Sequence, residues 1–216
     1  MTMRSPGLGR LAGVLMPAIM LFAAMPAAAR DCTPDRPGWD DPVLHMQVER
    51  IGRAQVLLVE GRIGPDLPRQ MEAMLVRYPD VGEIRFHSSG GDMASAMEAG
   101  RRIRSHGVFV THVPAGWGCA GACALLFLSG NVRSVDPDGV FDIGRFYANG
   151  GEEPSARAAA RQSFDVVDYL IRMGVSRRLL ANALDREAAA ARANTPPRLC
   201  LTSDELRRYN VANWSG

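Results

Sequence analysis

Two rhythms of apolar and polar positions run through most of this chain. Short apolar blocks with β-branched residues at Val56 to Val59, Val81 to Phe86 and Val108 to Val113 are each bounded by Gly, Asp or Pro. That pattern predicts short buried strands. Between them, Leu67, Met71, Met74 and Leu75 recur at spacings of three to four and predict an amphipathic helix. Met93, Met97, Gly100, Ile103 and Arg104 predict a second, with Asp92 placed to cap it. Strands that alternate with helices imply βαβ units, an α/β fold with a mainly parallel sheet, and right-handed crossovers.

Beyond this alternation the pattern changes. A glycine-rich turn over 114–118 leads into an apolar stretch from Ala120 to Leu128, ended by Ser129-Gly130, which predicts a short buried helix with a glycine C-cap. Asp136-Pro137-Asp138-Gly139 is a turn separating two strands. A long helix is expected from Pro154 to Met173 with apolar positions at Phe164, Val167, Leu170 and Ile171, and another from Ser176 toward Ala191. After a break at Thr195-Pro196-Pro197, the order Thr202-Ser203-Asp204-Glu205 has the form of a capping box opening a final short helix. Residues 30–42, rich in Asp, Pro and Gly, read as an extended leader held by Cys32.

The N-terminus adds a statement about compartment. Arg4 and Arg10 precede an apolar run from Leu11 to about Met25, and Ala27-Ala28-Ala29 follows, which is the order of a signal peptide cleaved after Ala29. The run is shorter than the roughly 20 residues of a spanning helix, and Pro17 interrupts it. The expected organisation is a signal peptide at 1–29, a leader and first strand at 30–54, and one domain at 55–216, in a periplasmic or secreted protein with no membrane attachment after cleavage. Removing the segment takes away two arginines and no acidic residue, which cancels the formal net charge of +2. A neutral chain does not favour nucleic acid. Every basic residue apart from histidine is arginine; there is no lysine.

Cys32, Cys119, Cys123 and Cys200 all lie beyond the signal peptide, and an even count in an oxidising compartment implies disulfides. Three pairings are possible. On one helix, residues four apart hold their Cβ atoms about 5 to 6 Å apart against about 3.8 Å in a disulfide. This favours Cys119 and Cys123 each pairing with a distant cysteine. No histidine stands at ligand spacing beside them, so no metal or other cofactor is expected.

Three stretches carry a resemblance: His87-Ser88-Ser89-Gly90-Gly91-Asp92, Cys119-Ala120-Gly121-Ala122-Cys123-Ala124, and Leu201-Thr202-Ser203-Asp204-Glu205-Leu206. In this order they resemble the ClpP/crotonase superfamily, in particular its exported bacterial branch, over roughly residues 55–212. The resemblance implies a single-domain repeated ββα superhelix. In that branch the first stretch reads Asn-Ser-Pro-Gly-Gly and the second Cys-Ala-Ser-Ala-Cys-Ala, while the strand after the turn ends in Gly-Val-His-Gln-Phe. Carried over by position, the nucleophile falls at Gly121, the base at Gly144, and an upstream aspartate near Asn194. A serine hydrolase needs an oxygen nucleophile, a base and a group orienting the base, and glycine supplies none of these. A lysine base is excluded because there is no lysine. What the resemblance leaves are backbone N–H donors at Gly91 and Ala122, able to hold a carbonyl or carboxylate, and Arg145, beside Gly144, as a contact for a carboxylate ligand.

Other residues offer rival chemistry. His87 with Ser88 or Ser89 is a local pair, but successive side chains on an extended segment face opposite ways. Cys119 and Cys123 offer thiolates only if reduced. Crotonase relatives hold thioester enolates with two backbone N–H groups, on coenzyme A esters that an exported protein does not normally meet. The Ser88 to Gly91 run lacks the lysine and spacing of a phosphate loop. His45, His106 and His112 read as surface or satisfied residues, and the arginines between Ala156 and Arg186 as a solvated face. Two functions remain: a non-catalytic, exported ClpP-like protein that binds a peptide or carboxylate-bearing ligand, with homo-oligomers expected by analogy of fold, or a serine-type hydrolase with another nucleophile.

Overall fold

The structure is a computed structural model that describes Met1 and residues 32–144, 155–194 and 199–214. The chain divides into two compact units, 1–30 and 31–216, and every element below belongs to the second. The first strands are β1 (His45–Ile51), β2 (Ala54–Glu60), β3 (Val81–His87) and β4 (Val110–Val113). After β4 come β5 (Gly118–Ala120), β6 (Val132–Val135) and β7 (Val140–Asp142). Five of these strands form one sheet in the order β1-β2-β3-β4-β6, and β5 and β7 form a second, two-stranded sheet. Only β1 runs antiparallel, paired to β2 through the Ile51–Ala54 hairpin; β2, β3, β4 and β6 are parallel. The α/β reading with a mainly parallel sheet therefore holds. The turn at Asp136 to Gly139 does separate two strands, but β6 and β7 lie in different sheets.

Alternation along the strands sorts their side chains. Leu57, Val59, Ile84, Phe86 and Val113 enter the main core. They meet α1 (Leu67–Arg77) through Leu67, Met71 and Leu75, and α2 (Met93–His106) through Met93, Met97 and Ile103. Asp92 caps α2, its Oδ1 accepting from the Ser95 amide at 2.7 Å. On the other face Glu83, Arg85 and His112 form a charged row. Arg85 Nε donates to Glu83 at 2.6 Å, while the two ring nitrogens of His112 lie 3.2 Å from Glu83 and 3.0 Å from Asp136. Burial alone would depress the His112 pKa, but the two carboxylates outweigh it and hold the imidazole above its ordinary value. In turn His112, with Arg85, holds Glu83 below its own.

The short helix α3 (Ala122–Phe127) is apolar all round, and all six residues are buried. Phe127 lies between Phe86 of β3 and Phe141 of β7, with centroids 6.4 and 5.1 Å away, which joins the two sheets through this helix. Its end is not the expected glycine C-cap, because Leu128 holds the cap in helical conformation. Gly130 is required for closeness instead: a Cβ there would overlap the Thr111 side chain. The final carbonyls are met by side chains. Tyr169 Oη donates to Leu125, Thr111 Oγ1 to Phe127 and Arg104 Nε to Ser129, at 2.8 to 2.9 Å.

Arg133, 2% exposed, donates to the carbonyls of Gly130, Met173, Asn210 and Val211. Burial lowers its pKa to about 10, so it stays charged at neutral pH. These bonds tie β6 to the ends of α4 (Ala156–Arg172) and of α6 (Ser203–Arg208), the latter opened by the Thr202–Glu205 capping box. Between these two helices lies α5 (Arg178–Ala193). Arg133→Met would remove the side-chain donor of Met173, Asn210 and Val211, while Gly130 keeps Arg104 at 3.2 Å, and should lower the unfolding free energy by about 3 kcal/mol, measured by urea denaturation. Arg133→Lys should recover little, since one ammonium cannot reach all of them.

Candidate functional site

The positions singled out by the motifs converge where β3 and β5 end. Ser88 bridges Cys119, with the Ser88 amide donating to Gly118 at 2.8 Å and the Ala120 amide to Ser88 at 2.9 Å. β5 passes into α3 through Gly121, at φ 53° and ψ −117°. This is the left-handed region, which a residue with a Cβ enters only under strain. A sharp strand-to-helix turn of this kind is where α/β-hydrolases mount a nucleophilic serine; here it carries no side chain. The Gly121 amide donates to Asp142 at 3.1 Å, which brings the turn beside β7, and two residues further on Gly144 donates to Asp142 Oδ1 at 2.6 Å. Gly121 and Gly144 are therefore neighbours through Asp142.

The space at Gly144 is occupied. A Cβ built there would lie 2.8 Å from Leu199 Cδ1 and 2.9 Å from Asp142 Oδ1, so an imidazole at this position would have to displace Leu199. Gly90 (φ 108°) and Gly91 (φ 137°) form the loop facing the start of α3, and a Cβ on Gly90 would stand 2.9 Å from the Ala120 carbonyl and 3.2 Å from the Ala122 nitrogen. As the first residue of α3, Ala122 has no intrahelical acceptor for its N–H. Gly91 bridges Ile63 and, with Asp92, Arg62 and Pro42, lines a shallow cleft of about 320 Å³.

Asn194 ends α5 in the left-handed conformation, exposed, its amide bonded to Ala191. A helix-terminating role accounts for it. Arg145, expected to reach a ligand, lies outside the described residues, as do Phe146 and Tyr147.

His87 and its serines do not form a catalytic pair. The ring is 1% exposed. Its Nε2 lies 3.1 Å from the carbonyls of both Arg36 and Pro37, and its Nδ1 accepts from the Gly118 amide at 3.1 Å. This fixes a neutral tautomer with the proton on Nε2, and both nitrogens are engaged. Ser88 Oγ accepts from the Gly90 amide at 3.2 Å. Burial holds the His87 pKa below its ordinary value. Of the other histidines, His45 faces Asp41 and His106 pairs with Glu72 at the surface.

The cysteine expectation is corrected. Cys119 pairs with Cys123, and Cys32 with Cys200. Cys119 and Cys123 do not share a helix: one is in β5, the other in α3, and the turn at Gly121 brings their Cα atoms to 5.2 Å. That bridge spans the position of the expected nucleophile and removes both thiols from consideration.

The leader was only partly legible. It is held through Cys32 as expected, but residues 35–40 form bends and turns where an extended run was expected. It lies over the C-terminal ends of β2, β3 and β4. The Ser89 amide donates to Trp39 at 2.6 Å, the Arg62 amide to Asp41 at 2.7 Å, and the Arg36 amide to Gly116 at 2.9 Å. The Arg36 guanidinium pairs with Glu60 at 2.8 Å and stacks 4.6 Å above the Trp117 ring. A Pro- and Gly-rich segment gives no periodic signal for such contacts; Trp39, a large apolar residue amid polar ones, is the single hint.

No protein-family model matches the chain, and no curated protein matches it. Solved structures do. ClpP1 from Listeria monocytogenes superposes with a TM-score of 0.52 at 18% identity, covering 73% of this chain and 88% of that one. A membrane protease specific for a stomatin homolog, from Pyrococcus horikoshii, gives 0.51 at 15%, covering 72% and 69%. An enoyl-CoA hydratase from Polaromonas sp. JS666 gives 0.50 at 14%, covering 78% and 69%. The fold is the one shared by ClpP-like proteases and crotonases.

Two outcomes test this geometry. Gly90→Ala should destabilise the protein by more than about 1 kcal/mol through backbone strain and contact with the α3 entrance, read from the thermal midpoint. The pH dependence of His87 has a defined sign. The unfolded chain takes up this proton near pH 6.5 while the folded one resists it. Its contribution is therefore complete above about pH 6.5 and is lost as pH falls below that toward the lowered folded value. Urea titrations of His87→Asn against the parent should show their difference shrinking over that descent.

Proposed function

We propose that this protein is an exported, non-catalytic member of the ClpP-like branch, periplasmic or secreted after cleavage at Ala29, in which a peptidase scaffold serves binding or assembly. The observation that carries this reading is the turn at Gly121. Its backbone has the conformation that presents a nucleophile, yet it bears no oxygen, and the neighbouring Gly144 bears no base and has its side-chain space filled by Leu199. Hydrolysis at such a site has no group to attack the carbonyl and none to take the proton. What remains is the backbone, whose Gly91 and Ala122 amides are suited to hold the carbonyl or carboxylate oxygen of a peptide-like ligand without reacting with it. Both disulfides, and the lack of any described helix long and apolar enough to cross a membrane, accord with an extracytoplasmic setting. The neutral charge of the mature chain speaks against nucleic acid as partner.

A fluorophosphonate probe separates this reading from a hydrolase with another nucleophile: no serine should be labelled, and covalent capture at any of them would overturn it. Gly121→Ser alone should show no peptidase activity above the parent, measured with a fluorogenic peptide mixture, because it restores a hydroxyl without a base. Appreciable turnover by that variant would reveal a base elsewhere and reject the proposal.

A further inference from the structure

The two disulfides differ in what a reagent can reach. Cys119 and Cys123 are fully buried, whereas Cys32 and Cys200 are both partly exposed. Thiol–disulfide exchange needs an incoming thiolate to approach a sulfur, so a reductant meets the Cys32–Cys200 bond first. What that bond holds is the leader, which is otherwise continuous only with β1. Its anchor stands beside the candidate site: Cys200 bridges Asp142, whose carbonyl accepts from the Gly121 amide at 3.1 Å.

The leader in turn occupies the backbone donors around Gly91. The Trp39 carbonyl takes the Ser89 amide and the Asp41 carbonyl takes the Arg62 amide, while the carbonyls of Arg36 and Pro37 face His87 Nε2. Pro42 forms part of the wall of the cleft that Arg62, Ile63 and Gly91 also line. Individually such hydrogen bonds contribute little net free energy. Together they depend on a segment tied at both ends, which keeps its carbonyls at high effective concentration over their donors.

We propose that Cys32–Cys200 is a regulatory disulfide and the leader a strap that its reduction releases from the strand ends beside Gly91. A thiolate of a dithiol reductant attacks one sulfur, the bond between Cys32 and Cys200 breaks, and the second thiol of the reductant resolves the mixed disulfide. Two electrons and two protons pass to Cys32 and Cys200, which end as thiols, and the reductant leaves as a disulfide. Held then at one end, the leader withdraws its carbonyls and frees the Arg62 and Ser89 amides beside Gly91.

Graded dithiothreitol on the native oxidised protein, with iodoacetamide trapping and peptide mass analysis, reads the order of opening. Cys32 and Cys200 should be alkylated at reductant concentrations at least about tenfold below those that open Cys119–Cys123. Hydrogen exchange reads the release, both in protein reduced at Cys32–Cys200 and in the double variant Cys32→Ser with Cys200→Ser, which needs no reductant. In either form the Arg62 and Ser89 amides should exchange at least about tenfold faster than in the oxidised parent, and faster than the amides within α2. Opening of both bridges over one range of reductant, unchanged protection of Arg62 and Ser89, or exchange of those two at the rate of the α2 amides would each overturn the proposal.

Discussion

A helix buried on every side has nowhere to send its terminal carbonyls except to other parts of the protein, and α3 imposes that requirement on the whole domain. The answer comes from four elements. Tyr169 of α4, Thr111 of β4, Arg104 of α2 and Arg133 of β6 each donate to the last turn of α3 or the residues just after it. The two arginines add positive charge where the helix dipole is negative. Because Arg133 also holds Met173, Asn210 and Val211, the polar closure of this helix and the docking of the C-terminal region are one interaction.

The opposite end of α3 explains the site. Entering a buried helix directly from a strand demands a sharp turn, and Gly121 takes it in a conformation that a serine would adopt only under strain. Glycine avoids that strain, while the Cys119–Cys123 bridge holds the turn from both sides. The Gly90-Gly91 loop is pressed against the same entrance, and the leader lies across the neighbouring strand ends, taking the Ser89 amide and bonding His87.

Much of this was legible in the sequence because it depends on periodicity or on local capping. The β2, β3 and α1 patterns, the Asp92 cap and the Thr202 box all express short-range rules, and the structure follows them. The failures have a common origin in tertiary context. A helical reading of Cys119 to Cys123 hid the strand-to-helix break that makes their disulfide possible. Gly130 resembled a helix terminator but answers to the Thr111 side chain. Phe164 fitted an apolar stripe, yet the core ends before reaching it. The leader contacts could not be read at all, since they run through backbone amides and carbonyls to which sequence is blind.

The bond between Cys32 and Cys200 closes a loop with a sequence separation of 168, nearly the whole domain. A cross-link of that span removes about 5 kcal/mol of freedom from the unfolded chain on the loop-closure account, comparable to the entire stability of many domains. Reduced, the same sequence would lack the cyclising link and hold its leader by hydrogen bonds, the Arg36–Glu60 ion pair and the stacking of Arg36 on Trp117. Formation of the link turns a linear chain into one in which residues 32 and 200 can no longer part.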